Sequence, residues 1–278
     1  MTNGKSEGFP SLSSSMSSPP FILGHRGASA VAPENTLAAF SRAISDGADG
    51  IEFDVRLSRD GVPVVIHDDT LKRTGLIDRL VSELTAAELQ EVDVGSWFAE
   101  TTRNLTATFR GEKLPTLTQV FELFSANNGR LYIEMKCDKD EGSLLAAEVV
   151  RLTREARMAE RVVVESFDHA AIVAVKKIDS GIRTAALFEP KLTRPISTVR
   201  RLKTVETALS VGADEIALHH TLTGVRVVEK ARQAGLDVVV WTVDDAAWIT
   251  RARALDIKAL IANDPASMLR NRDQLSKK

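Results

Sequence analysis

The chain is short of the features that would tie it to an oxidising compartment or to a membrane. Cys137 is its only cysteine, so no intrachain disulfide can form. A free cysteine beside Lys136 could lie near a site, although a small buried hydrophobe is the commoner role. No apolar run approaches the ~18–20 residues needed to cross a bilayer. The first residues lack a basic segment leading into an apolar core, the pattern of a secretory signal. The expectation is a cytoplasmic protein without stable membrane insertion. The formal net charge is only −2, which argues against a nucleic-acid binder that works through a broad basic face but leaves room for a local basic pocket. No P-loop is present, and no Gly-x-Gly-x-x-Gly follows a strand, so nucleotide cofactors are not indicated. Cys-x-x-Cys and His-Glu-x-x-His spacings, typical of zinc sites, are absent too. None of these features speaks to oligomeric state.

What is present fits one large α/β domain. The chain has 278 residues, 44% hydrophobic and 27% charged, ample for a filled core. Residues 1–20 are rich in Ser, Gly and Pro and read as a disordered leader. From residue 21 to about 275, short apolar runs alternate with helix-compatible stretches. Runs at 21–24, 51–55, 131–135, 162–164, 184–188, 215–218, 238–241 and 259–261 make eight strands, each followed by a helical pattern such as 37–48, 117–126, 143–156, 169–178, 198–211, 224–234 and 245–254. Asn35 or Thr36 suits the first N-cap and Asp168 a later one. A further strand, 62–66, follows the turn Arg59-Asp60-Gly61 closely enough for a hairpin. The segment at about 69–115 breaks the alternation and reads as an insertion after the His67 strand, with a short helix near 85–91 and the pair Trp97-Phe98. Eight βα units of this length predict a (β/α)₈ TIM barrel, with a doubly wound parallel sheet as the alternative.

Six polar clusters follow directly on apolar runs: His25-Arg26, Glu52 with Asp54, His67-Asp68, Glu134 with Lys136, Glu165-Ser166 and Trp241-Thr242. In a parallel barrel such positions converge on one rim, where active sites sit. Glu52 and Asp54 are two apart on a strand and point to the same face. Like charges aimed at an apolar interior repel one another unless a cation lies between them. With Glu134 they form an oxygen-only set suited to Mg²⁺ or Ca²⁺, with Mn²⁺ possible. The competing reading pairs them with Arg56 and Lys136. His25 and His67 can take and give a proton near neutral pH, unless one serves as a ligand or spacer. Arg26 and Lys136 could hold a phosphate. Trp241 could wall a substrate pocket or merely cover the core. Glu165 and Ser166 can be read as a strand end and helix start, and no Gly-x-Ser-x-Gly elbow surrounds Ser166. His169, His219 and His220 read as structural or surface residues.

In combination these segments resemble the glycerophosphodiester phosphodiesterase family. The most specific marks are Gly24-His25-Arg26-Gly27 followed by Pro33-Glu34-Asn35-Thr36. Glu52-Phe53-Asp54-Val55, Val65-Ile66-His67-Asp68, Glu134-Met135-Lys136, Ser166-Phe167, Trp241-Thr242-Val243-Asp244 and Asn263-Asp264-Pro265 continue the match over about residues 21–270. Asp244 stands where the family usually has Asn, a departure expected to matter little. The resemblance implies a TIM barrel with a small insertion, one divalent cation, and hydrolysis of glycerophosphodiesters to sn-glycerol 3-phosphate and an alcohol. It implies His25 and His67 as general acid and base, Glu52, Asp54 and Glu134 as metal ligands, and Arg26 and Lys136 as phosphate contacts. The alternatives are a head-group hydrolase acting on lysophospholipid or sphingomyelin, and a non-catalytic phosphodiester-binding protein.

Overall fold

The computed structural model describes residues 18–101, 109–137, 141–190 and 198–276. Most of the leader expected at 1–20, and part of the insertion, therefore lie outside the described residues. The described residues form nine strands: β1 (Phe21–His25), β2 (Gly50–Leu57), β3 (Pro63–Val65), β4 (Arg130–Met135), β5 (Val162–Ser166), β6 (Arg183–Phe188), β7 (Glu215–His219), β8 (Asp237–Trp241) and β9 (Ala259–Ala262). Eight of them are parallel and close on themselves, because β1 pairs with both β2 and β9. The closed ring selects the barrel over the open doubly wound sheet. β3 runs antiparallel to the end of β2, with Val55 opposite Val65, and is the hairpin arm outside the ring.

The period-two alternation of each strand sorts its side chains. On β2, Ile51, Phe53 and Val55 face outward and are fully buried against Phe40, Leu117, Phe121 and Phe124 of the surrounding helices. Each such aromatic or aliphatic side chain removed from water contributes about 1.5–3 kcal/mol. The opposite half of the ring packs in the same way, with Ile216, Leu218, Val238, Val240 and Leu260 against Val227, Val228 and Ile249. The lumen is filled by Leu23, Tyr132, Val163, Ala185, Leu187, Ala217, Val239, Ala259 and Ile261. It is a packed core and not a channel. Its amino-terminal floor is polar: Glu215, with no exposed surface, accepts from Tyr132 Oη (2.9 Å), Arg183 Nε (3.0 Å) and Lys258 Nζ (2.6 Å).

Helices α1 (Leu37–Ser45), α2 (Ala86–Leu89), α3 (Ser96–Thr101), α4 (Leu117–Phe124), α5 (Gly142–Glu155), α6 (His169–Ile178), α7 (Thr198–Ser210), α8 (Val225–Gln233), α9 (Ala247–Leu255) and α10 (Pro265–Ser276) complete the fold. Thr36, not Asn35, caps α1, accepting from Ala39 N. Asp168 caps α6 through Ala170 N. Between β3 and α4, the described residues carry a small core of their own, with Ile66, Leu71, Val81, Leu89, Val92, Val94 and Leu114 packed on Val64. The helix expected at 85–91 shortens to α2, where Thr85 and Glu88 form a capping box. Among the described residues no helix is long and apolar enough to cross a membrane.

Candidate active site

The carboxyl-terminal rim gathers the polar clusters around β1, β2, β4 and β5. Glu52 and Asp54 point inward from β2, and Glu134 does so from β4, where it lies opposite Asp54 in register. The three are 3%, 1% and 7% exposed. One carboxylate oxygen from each lies within 4.8 Å of the others. This convergence follows from the pleat: residues i and i+2 of one strand and the register partner on its parallel neighbour share one face.

Two cations brace the acids. Lys136 Nζ lies 2.5 Å from Glu134 Oε1 and 3.3 Å from Asp54 Oδ1. Arg26 Nε lies 3.3 Å from Asp54 Oδ2, and Arg26 NH1 donates to Glu34 Oε1 at 2.7 Å. Of the two cations in the competing reading, Lys136 pairs with these acids, while Arg56 Nε donates to the His67 backbone carbonyl. Arg26 takes a left-handed backbone (φ 54°) beside Gly27 (φ 85°). A Cβ on Gly27 would sit 2.7 Å from the Ala39 backbone, so only glycine turns the chain there. This turn directs the Arg26 amide at Glu52 Oε2 (3.1 Å). Asn35 is also left-handed (φ 59°). Its amide donates to Asp54 Oδ2 at 2.8 Å, and its Oδ1 accepts from Asp54 N.

Burial and crowding separate the three acids electrostatically. Glu52 is pushed well above the usual carboxylate range by burial, then by the charges of Asp54 and Glu134. Glu134 is pushed up to about 7 by burial and the Asp54 charge, with Lys136 opposing. Burial also acts to raise Asp54, but Lys136 and Arg26 outweigh it and hold that carboxyl below its ordinary value. Asp54 Oδ1 and Glu134 Oε1 are buried without a well-formed hydrogen bond, despite their ion pairs with Lys136. Crowded oxygens with unused lone pairs are the donor set that a hard divalent ion takes up, so these residues fit such an ion.

The two imidazoles flank the acids. His25 ends β1, and its Nε2 lies 3.9 Å from Glu52 Oε2. Its Nδ1 lies 2.7 Å from Asn263 Oδ1. Asp244 accepts from both Asn263 Nδ2 and Asn263 N. An acceptor-only carboxylate thereby turns the Asn263 oxygen toward His25, so Nδ1 carries the hydrogen and Nε2 keeps a lone pair. The Asp244 departure, expected to matter little, thus sits two side chains from an imidazole. His67 makes the analogous bond from Nδ1 to Asp68 Oδ1 at 2.7 Å. Burial lowers the pKa of both rings below the ordinary histidine value, more than their partners raise it.

Trp241 ends β8 on the same rim. Its indole is edge-on to Phe167 (5.6 Å) and His219 (5.2 Å), and Lys136 Nζ lies 5.6 Å from the Phe167 ring. The indole is partly exposed and also packs on the lumen core. Ser166 is structural, with its hydroxyl donating to Met135 O. Glu165 lies at the end of β5, as read, and is a fourth buried carboxyl on the rim. It is 1% exposed and raised well above its usual range by burial and by Glu52. Glu34 and Asn263 lay in the family-like motifs without a role of their own, and Asn35 was offered only as a helix cap. Arg73, described below, carried no sequence signal.

The profile of the Glycerophosphoryl diester phosphodiesterase family matches residues 25–267. A glycerophosphodiester phosphodiesterase of Caldanaerobacter subterraneus is 32% identical over 250 residues, 89% of this chain and 96% of its own length. A putative glycerophosphodiester phosphodiesterase of Bacillus subtilis is 30% identical over 251 residues, 90% of this chain and 97% of its own. Among solved structures, an Oleispira antarctica phosphodiesterase in complex with the product sn-glycerol-3-phosphate matches with a TM-score of 0.80 at 26% identity, covering 92% of this chain and 97% of that one. A putative glycerophosphoryl diester phosphodiesterase from Silicibacter pomeroyi gives 0.81 at 26% identity, covering 93% and 94%. Convergent buried acids on the rim of a closed parallel barrel, with relatives of the same architecture along almost its whole length, place the chain in the glycerophosphoryl diester phosphodiesterase family.

Proposed function

We propose that the chain hydrolyses glycerophosphodiesters to sn-glycerol 3-phosphate and an alcohol, with Glu52, Asp54 and Glu134 holding one divalent cation, Mg²⁺ or Ca²⁺, with Mn²⁺ a usable substitute. The observation that carries this reading is the buried acidic cluster with two imidazoles beside it, each anchored through Nδ1. A divalent ion held by these acids would supply positive charge against the negative charge that builds on the phosphate. Arg26 and Lys136 donate to the remaining phosphate oxygens.

His25 and His67 divide the proton transfers. His25 bonds a neutral amide and is the more buried ring, so its Nε2 lone pair suits it to be the base. It takes a proton from water that attacks phosphorus directly, or from the substrate's own glycerol hydroxyl, which forms a cyclic phosphate that a water then opens with the two histidines in exchanged roles. His67 bonds the Asp68 carboxylate, which stabilises an imidazolium, and gives its proton to the departing alkoxide. Trp241 and Phe167 offer an apolar wall for carbon atoms of the substrate.

The test is a panel of glycerophosphocholine, glycerophosphoethanolamine, glycerophosphoglycerol and lysophosphatidylcholine, assayed after chelation with each ion restored in turn. Release of glycerol 3-phosphate from the first three is the expected result. Faster choline release from lysophosphatidylcholine would favour the head-group hydrolase. Binding without turnover under every ion would favour the non-catalytic reading.

A further inference from the structure

Arg73 lies in the segment after β3, between Asp68 and the residue 74–78 turn. Its guanidinium touches two carboxylates at once. Nε donates to Asp68 Oδ2 at 2.7 Å and NH2 to Asp68 Oδ1 at 3.1 Å. NH1 donates to Glu34 Oε2 and NH2 to Glu34 Oε1, each at 2.8 Å. The same two acids lead directly into the site. Asp68 Oδ1 is the acceptor of His67 Nδ1, and Glu34 Oε1 accepts from Arg26 NH1. Arg26 in turn faces Asp54. A single planar fork therefore joins a histidine to an arginine that arrive from different strands, β1 and the hairpin arm β3.

We propose that Arg73 is a positioning residue for both arms of the site: through Asp68 it fixes the orientation and tautomer of His67, and through Glu34 it fixes Arg26. The proposal rests on the phosphodiesterase reading for its effect on turnover. It stands on geometry for its effect on the imidazole. Four hydrogen bonds to two carboxylates require the rigid, multi-donor guanidinium; an ammonium cannot span both in plane. Glu34 without Arg73 would keep only Arg26, and Asp68 would be free to rotate away from His67 Nδ1. The Arg73 guanidinium also lies 5.7 Å from the Trp97 ring, which limits its swing. The Arg73 side chain is 41% exposed, but both carboxylates it grips are less than a quarter exposed.

The experiment compares the full chain with Arg73→Met, Arg73→Lys, Asp68→Asn and Glu34→Gln. Turnover is measured on glycerophosphoethanolamine at saturating Mg²⁺, with thermal unfolding as the check on folding. Expected for Arg73→Met is a kcat lower by ~10²-fold, the scale of a misplaced proton-transfer group, and a KM raised several-fold. Arg73→Lys should not restore either. Asp68→Asn should act mainly on kcat and Glu34→Gln mainly on KM, so the two arms separate even if Arg73→Met fails to fold. The readout independent of turnover is the nitrogen-15 spectrum of the histidine rings. Recorded at a pH where the ring is neutral, the wild-type His67 should show the Nδ1–H tautomer alone, and Arg73→Lys and Asp68→Asn should show a mixture. A wild-type protein that releases no glycerol 3-phosphate refutes the phosphodiesterase reading, while the tautomer spectra still decide the role of Arg73. Wild-type-like kcat, KM and His67 spectrum in folded Arg73→Met or Arg73→Lys would overturn the proposal.

Discussion

Raising the pH from about 6 to about 8 should strengthen the grip of the chelated protein on a divalent cation, because the ion must displace protons that the buried acids hold. Glu134 titrates at about 7 in the folded chain, owing to burial and to the Asp54 charge. It is therefore ~90% protonated a unit below that value and ~10% protonated a unit above. Deprotonating it ahead of cation binding alone makes the affinity ~10-fold higher at the upper pH, a difference of about 1.4 kcal/mol. Glu52, also raised, adds protons to be displaced, so ~10-fold is the lower bound. Asp54, held down by Lys136 and Arg26 once burial is overcome, is ionised throughout and adds nothing. The assay is calorimetric titration with Mg²⁺, Ca²⁺ or Mn²⁺ in buffers of different ionisation enthalpy, which counts the protons released. Glu134→Gln should remove its share of the pH dependence while weakening binding. An affinity flat within twofold over this range, with heats independent of buffer, would refute the electrostatic reasoning. The same carboxyl has a consequence for the metal-free fold. Its folded value lies above its ordinary 4.5, so its contribution to stability is present below about 4.5 and is lost as pH rises through about 7, on the order of 3 kcal/mol.

His25→Ala and His67→Ala should each lower kcat by at least ~10² in steady-state assays, and normal turnover in both would remove them from the chemistry. Asn263→Asp places a carboxylate on His25 Nδ1, where Asn263 Oδ1 now stands at 2.7 Å. It should raise the His25 pKa and move the acid limb of the kcat/KM profile to higher pH; an unmoved limb would contradict the base assignment. At the barrel floor, Glu215→Gln leaves Lys258 and Arg183 short of a buried partner. Both cations keep Asp237 as a partner, so the substitution should cost about 1–3 kcal/mol in denaturant unfolding with kcat within a few-fold of wild type, and no measurable loss would mean the floor network is not structural.

The barrel was legible because its strands are short apolar runs with turn signals between them, a pattern that parallel packing on both faces imposes. Closure was not, since the β1–β9 pairing joins residues at opposite ends of the chain. The Glu52 and Asp54 pair was legible because i and i+2 on a strand share a face whatever the tertiary structure. Glu165 was harder: whether an inward residue at a strand end meets solvent or lies among other carboxyls depends on the barrel stagger, and here it is buried and feels the charge of Glu52. Asn35 read as a cap, yet its left-handed backbone sends its amide to Asp54 instead. Arg73 could not be read at all, because its partners Glu34 and Asp68 lie 39 and 5 residues away and only the folded rim brings them together.

The most direct measurement is anomalous diffraction from crystals of the protein soaked in Mn²⁺. One peak coordinated by Glu52, Asp54 and Glu134, within reach of both imidazoles, is the expected result. A peak bound elsewhere, or ordered carboxylates with no peak between them at millimolar Mn²⁺, would contradict the assignment of this cluster as the catalytic cation site.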